Sequence, residues 1–117
     1  VVMLGKASNQ QAAVRLMSDG GFDSTFGSSG VRVLPLYTSS TNDELYDAGI
    51  DSEGRILLVG SSRPNGQTVS LLRRMNSSGN LDSSFGTSGS VLENETFLNS
   101  LAIDADDRTI TCGTRST

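Results

Sequence analysis

The sequence predicts an all-β protein built from repeated four-stranded units, and three observations support this prediction. The composition is 35% hydrophobic and only 5% aromatic, with 13 glycines, which suits short strands and tight turns better than a large helical core. Short apolar segments recur with turn residues between them, and no stretch shows a helical period. The third observation is internal repetition, seen most clearly in FDSTFGSSG at 22–30 and LDSSFGTSG at 81–89.

The repeat consists of two blocks with different spacings. The first block holds one Asp, one Phe and two Gly that recur 59 positions later, Asp23, Phe26, Gly27 and Gly30 returning as Asp82, Phe85, Gly86 and Gly89. The second block, 45–60, returns 53 positions later at 98–113. The six-residue difference falls in the polar stretch YTSSTNDE, which predicts a longer loop in the first unit.

These spacings divide the single segment 1–117 into repeat units of approximately 1–55 and 56–108, with a partial third unit at 109–117. The last nine residues align with the first nine, so we expect the chain to be a fragment of a longer array. About two four-stranded antiparallel blades plus part of a third, from a larger β-propeller, fit this pattern best. The predicted strands are 1–5, 11–17, 31–36 and 44–51, then 56–60, 67–75, 90–93 and 97–104, with 109–113 opening the third unit.

The duplicated segments 22–30 and 81–89, named here the repeated turn, have a structural interpretation. Asp23 can accept hydrogen bonds from backbone N–H groups two or three residues on and nucleate a single helical turn. Gly27 supplies the left-handed residue that ends such a turn, and Gly30 starts the next strand. We expect Phe26 to fill an apolar pocket, and its counterpart Phe85 to be buried in an equivalent environment.

Composition and charge exclude several classes of function. The net charge is −4 and no basic run exceeds Arg73–Arg74, so no nucleic-acid partner is expected. No apolar stretch is long enough to span a membrane. Histidine is absent, which excludes Ser-His-Asp, Cys-His and His-zinc sites. The single cysteine, Cys112, cannot form an intrachain disulfide and is predicted to be a small buried hydrophobe.

The acidic turns allow a calcium alternative. SDGGFD, DSEG and DADD loosely resemble calcium loops and offer Asp19, Asp23, Asp51 and Asp104 as ligands. They lack the full ligand alternation and the distal glutamate of such loops, so plain turns between strands explain them better. The sequence therefore predicts no metal, no cofactor and no catalytic residue.

Arg15 and Arg73 are predicted to occupy equivalent positions on the strands before the repeated turn. A guanidinium beside a turn rich in carboxylates and carbonyls typically forms a structural bidentate pair. We therefore expect both arginines to have structural roles.

The order RLMSDGGFDSTFGSSGV followed by IDSEGRILLVG resembles the delta-60 repeat of bacterial β-propeller proteins. In that family an arginine-bearing strand leads to a D-x-x-F-G-x-x-G turn and later to a glycine-ended apolar strand. The resemblance implies a secreted or surface-exposed bacterial propeller, and it implies no catalytic residues. The chain departs from the family pattern at Ser77–Ser78 and at Asp106–Asp107, and both departures weaken the case for a repeated metal site.

The favoured function is a non-enzymatic structural or binding module that presents loops. Its expected partners are further repeats of the same propeller or other copies of the chain, with a protein or carbohydrate ligand. The variable loop 38–44 is the predicted binding surface.

Two other classes of function stay open. A carboxylate- or metal-dependent hydrolase or lyase would draw on the acids of the inter-unit loops, although solvated loops explain these acids better. A self-assembling lectin-like propeller would use Tyr37 and Tyr46 to stack on sugars. The acids in question are Asp43, Glu44, Glu93 and Glu95.

Overall fold

The computed structural model describes residues 1–115, which form nine β-strands and no helix. The all-β prediction and the prediction of four strands per unit are confirmed. No helix in this range could cross a membrane. The strands are β1 Val2–Ala7, β2 Gln10–Arg15, β3 Val31–Val33, β4 Glu44–Ile50, β5 Ile56–Ser62, β6 Val69–Met75, β7 Ser90–Glu93, β8 Thr96–Ile103 and β9 Thr109–Arg115.

The strands form three antiparallel sheets with the orders β1-β2-β3, β4-β5-β6-β7 and β8-β9. The boundaries between sheets lie one strand earlier than the boundaries between sequence units. The cause is turn length, because a tight turn at 51–55 joins β4 to β5 as a hairpin. The longer segment 34–43 carries the chain from β3 across to the next sheet. Each unit therefore gives its fourth strand to the following blade.

The apolar core lies between the first and second sheets. Phe26 and Leu34 from the first unit pack with Ile56, Leu58 and Met75 from the second, and none of these is more than 1% exposed. Residues 56–60 of β5 are buried without alternation. Since successive side chains of a strand point to opposite faces, β5 is covered on both faces, as expected for a blade between two neighbours.

The first strands of the second and third sheets carry equivalent β-bulges. The register shifts between Leu45 and Asp47 on β4, and between Leu98 and Ser100 on β8. The bulge explains the repeated glycine opposite it, because a Cβ on Gly60 would lie 1.8 Å from the Glu44 carbonyl oxygen. Only glycine lets the backbones approach so closely.

Cys112 lies on β9 and is exposed, so the prediction that it is buried is wrong. The alternation of TITCG is that of a strand, as predicted. In residues 1–115, however, β9 belongs to a two-stranded sheet, and no further sheet covers the face that carries Cys112.

Candidate functional site

The two copies of the repeated turn have the same internal hydrogen bonds. Asp23 Oδ2 accepts a bond from Arg15 Nε at 2.9 Å, and Asp23 Oδ1 accepts one from the backbone N–H of Thr25 at 3.0 Å. In the second copy the corresponding distances from Arg74 and Ser84 to Asp82 are 2.8 and 3.1 Å. Both segments are hydrogen-bonded turns without helix.

The turn glycines also repeat their conformations. Gly27 and Gly86 both have φ of 56°. Gly30 and Gly89 have φ of 94° and 89° and accept the backbone N–H of Arg15 and Arg74 on their carbonyl oxygens. The turn therefore closes back onto the strand that precedes it.

The counterpart of Arg15 is Arg74, so the prediction that named Arg73 is wrong by one residue. Each of the two arginines precedes its aspartate by eight residues. Each guanidinium also lies over the phenylalanine of its own turn, 4.8 Å from the ring centroid for Phe26 and 4.9 Å for Phe85. Arg73 points to the other face of β6 and has different partners, described below.

The hydrogen bonds of the turn hold its carboxylates in the ionised form. The Thr25 hydroxyl and backbone N–H lower the pKa of Asp23, and the Arg15 guanidinium adds to this effect. Ser84 and Arg74 lower the pKa of Asp82 in the same way. The two copies are thus electrostatically equivalent.

The phenylalanines of the two copies differ in burial. Phe26 is 0% exposed, whereas Phe85 is partly exposed, so the prediction of equivalent environments is wrong. Phe26 is covered by residues 76–80 of the second unit, where a Cβ on Gly79 would lie 2.9 Å from the ring. Phe85 has no such cover within the described part of the chain.

Two hydrogen bonds hold residues 76–80 in place over the Phe26 ring. Gly27 donates its backbone N–H to the Ser78 carbonyl oxygen at 2.8 Å. Arg15 Nη1 donates to the Ser77 carbonyl oxygen at 2.7 Å. The repeated turn of one unit thus packs against the 76–80 turn of the next unit and is hydrogen-bonded to it.

The four aspartates considered as calcium ligands each accept hydrogen bonds within a separate turn. Asp19 Oδ1 accepts the Gly21 N–H, and Asp23 is engaged as described above. Asp51 and Asp104 each accept two backbone N–H groups and the Nε of an arginine four residues on. In residues 1–115 no group of three or more His, Cys, Asp or Glu side chains is placed to hold a metal ion.

The carboxyl pKa values of Asp51 and Asp104 are also lowered. Burial acts to raise the pKa of Asp51, but the hydrogen bonds from Arg55 and from the Glu53 N–H outweigh it and lower the pKa. The backbone and side chain of Arg108 lower the pKa of Asp104.

Asp107 stands where the first unit has a turn glycine, and sequence reasoning assigned it no role. It adopts φ of 61°, close to the 76° of Gly54. Its carboxylate accepts the backbone N–H of Ser52 at 2.9 Å and the Ser52 hydroxyl. The aspartate thereby joins the turn at 104–107 to the turn at 51–54. An Asp in place of a turn glycine was the signal that could have revealed this contact.

The segment 34–43, named here the long connection, differs from its counterpart of only two residues between β7 and β8. It contains Asp43, which is 0% exposed. Asp43 accepts the hydroxyls of Ser40 and Ser62, each at 2.7 Å, and the Tyr37 N–H at 2.8 Å. The prediction of a solvated loop is wrong for Asp43, because these groups replace the water that its carboxylate would need.

Arg73 is the cation next to Asp43, with 3.7 Å between Nη1 and Oδ2 and only 3% of its side chain exposed. Its Nε donates to the Ser90 hydroxyl and its Nη1 to Gln11 Oε1, both at 3.1 Å. Burial lowers the pKa of Arg73, while the Asp43 carboxylate opposes this effect. Arginine stays protonated under such conditions, so the cluster holds a buried ion pair.

The other three inter-unit acids lie apart from this cluster. Glu44 accepts Lys6 Nζ at 2.9 Å, and the Lys6 and Asn42 hydrogen bonds lower its pKa. Glu93 accepts the backbone N–H of Glu95, and Glu95 accepts Arg115. Glu93 and Glu95 border one open cavity together with Arg115, but Glu44 does not border it, so the structure does not join all three acids into one site.

The two tyrosines of the lectin alternative lie in different places. Tyr37 borders a cavity of about 230 Å³ beside Arg73. Tyr46 is the bulge residue of β4 and borders a cavity of about 300 Å³ together with Phe97 and with Asn99, its counterpart on β8. The bulge turns both side chains toward that cavity, an effect that the repeat spacing alone does not reveal.

The comparison with protein families agrees with this architecture. A family model described as Domain of unknown function (DUF5122) beta-propeller matches residues 52–85. The match spans the turn before β5, strands β5 and β6, and the second repeated turn up to Phe85. With the stacked antiparallel sheets, it identifies the fold as β-propeller blades. No curated protein and no solved structure matches the chain.

Proposed function

We infer that the chain is a non-enzymatic part of a β-propeller of the delta-60 type, in which units interlock through the repeated turn and the long connection presents a binding surface. The observation that carries this inference is the unequal burial of Phe26 and Phe85 in two otherwise matching turns. A turn whose ring is covered only by the following unit is built for assembly with further units.

The partners in this proposal are further repeats of the same propeller or other copies of the chain. A protein or carbohydrate is the proposed ligand of the long connection, which lies where the first unit exceeds the second by six residues. The extracellular or cell-surface bacterial location belongs to the proposal as well, and rests on the resemblance of the repeated turn. A non-enzymatic role is supported by the engagement of Asp43 in three hydrogen bonds within its own cluster.

The interlocking role can be tested by adding a unit. A second copy of residues 56–108 joined after Arg108 should place another 76–80 turn over Phe85. In the chain as it stands, Phe85→Ala should lower the free energy of unfolding by about 1 kcal/mol, as expected for a half-buried ring. In the extended chain the loss should rise to about 3–5 kcal/mol, the range for a core phenylalanine.

Phe22→Ala is the control for this experiment, since Phe22 is 61% exposed and its substitution should have little effect in either chain. An equal effect of Phe85→Ala in the two chains would contradict the proposal. Light scattering adds a second test, in which a dilute, cooperatively melting monomer of the 117-residue chain would contradict the need for further units.

A further inference from the structure

Four positions at which the two units carry different side chains converge on one cluster. Residues of the cluster are polar or charged, whereas the equivalent positions of the other unit are apolar or small. The repeated architecture therefore does not itself require these polar side chains, because the other unit forms the same strands without them. The differing pairs are Arg73 with Val14, Ser90 with Val31, Asp43 with Thr96, and Gln11 with Ser70.

Arg73 has a donor that the cluster does not use. Its Nε and Nη1 donate to Ser90 and Gln11, but Nη2 donates no hydrogen bond to any residue in the range 1–115. Most of this side chain is buried, with only 3% exposed, but Nη2 is not among the fully buried atoms that lack a partner, so this donor is accessible. Arg73 also borders the cavity of about 230 Å³, so a molecule in that cavity can accept a hydrogen bond from Nη2.

The cavity combines hydroxyls with apolar surface. Thr87, Ser88 and Ser90 line it on the side of the second repeated turn, and Leu36 and Leu81 contribute apolar side chains. A volume of about 230 Å³ corresponds to roughly seven or eight water molecules at about 30 Å³ each. The space therefore suits a small organic molecule with one polar and one apolar end.

We propose that this cavity binds a small carboxylate, which accepts hydrogen bonds from Arg73 Nη2 and from the neighbouring hydroxyls. Its hydrocarbon part contacts Leu36 and Leu81. A carboxylate fits better than a phosphate dianion, because Asp43 lies 3.7 Å from Arg73 and repels a second negative charge. The inference rests on the proposed binding role of the long connection, since that segment forms one wall of the cavity.

The first test is a titration of the full chain with sodium butyrate, followed by NMR of the arginine Nε–Hε resonances. The Arg73 resonance should shift in a saturable manner, while butyramide, which has the same shape without the charge, should leave it unchanged. Inorganic phosphate should bind more weakly than butyrate. No shift with butyrate, or an equal shift with butyramide, would overturn the proposal.

Variants provide a second test. Arg73→Gln should weaken butyrate binding about 10- to 100-fold, the value of one charge-assisted hydrogen bond. Arg63→Gln removes the same charge from an exposed residue beside the long connection and should leave binding unchanged. Thr87→Leu narrows the cavity while keeping Arg73 and should also weaken binding, which covers the case in which Arg73→Gln fails to fold. Unchanged affinity in Thr87→Leu and in a folded Arg73→Gln would overturn the proposal.

The outcome separates this inference from the proposed function. A protein or carbohydrate that binds at the long connection without any response to butyrate would overturn the carboxylate assignment and leave the binding role intact. Saturable binding of butyrate at Arg73, with an unchanged effect of Phe85→Ala in the extended chain, would contradict only the interlocking role.

Discussion

In the first copy of the repeated turn, residues 76–80 of the next unit cover the Phe26 ring, whereas in the second copy Phe85 is partly exposed. The internal hydrogen bonds of the two turns nevertheless agree, with 2.9 and 2.8 Å between arginine Nε and aspartate Oδ2. The turn thus takes its shape from its own residues, and a neighbouring unit supplies the burial. Local sequence determines the first property and assembly determines the second.

The largest effect that follows from this difference concerns the two rings. Phe26→Ala should lower the free energy of unfolding by about 3–5 kcal/mol, because it empties a covered site in the core. Phe85→Ala should cost about 1 kcal/mol, since part of that ring already contacts water. Urea denaturation of both variants measures the two losses. Equal losses would mean that the turn alone accounts for the burial of its ring.

A second comparison contrasts the long connection with its two-residue counterpart. Asp43→Ala should lower the free energy of unfolding by about 3–5 kcal/mol, because it leaves the Arg73 guanidinium buried without the Asp43 carboxylate. Thr96→Ala, at the equivalent position, should cost less than about 1 kcal/mol, since the Thr96 hydroxyl makes no hydrogen bond with the described residues. Chemical denaturation compares the two variants. A cost of Asp43→Ala near that of Thr96→Ala would show that the buried pair adds nothing to stability.

The strand pattern made most of the fold predictable, with limits set by particular residues. The predicted strand 31–36 ends at Val33 in the structure, because Pro35 has no N–H to donate to a ladder. The repeat placed both turns correctly. It could not reveal that β4 joins the next sheet, because pairing depends on the length of the segments on either side of the strand.

The candidate site was much less predictable. Asp43 and Arg73 are 30 positions apart, and Asp43 lies in a loop that is much shorter in the second unit. Burial of an acid in a polar loop has no sequence signature of its own. The choice between Arg73 and Arg74 depends on strand alternation, because neighbouring residues point to opposite faces of β6.

A smaller effect concerns acid stability, which should be equal in the two copies. The lowered pKa values of Asp23 and Asp82 stabilise the folded chain above the ordinary aspartate pKa of 3.8, and this contribution is lost as the pH falls through the folded values. The free energy of unfolding should therefore decline below about pH 4. Asp23→Asn and Asp82→Asn should each reduce that decline by similar amounts in denaturation series at pH 7 and pH 3. A reduction in only one variant would show that the two turns are not electrostatically equivalent.

The contact between Gly79 and Phe26 provides the most direct test of interlocking units. Gly79 and its counterpart Gly20 have φ of 90° and 88°, so alanine meets the same backbone strain at both positions. Only at Gly79 would the new Cβ lie 2.9 Å from the Phe26 ring, since nothing lies within 4 Å of a Cβ on Gly20. Gly79→Ala should therefore destabilise the chain by about 1–3 kcal/mol more than Gly20→Ala. Phe26→Ala should reduce that difference, leaving only the 3.2 Å approach of the new Cβ to the Gly27 backbone nitrogen. Equal losses at Gly79 and Gly20 in the wild-type background would contradict the interlocking of units through the repeated turn.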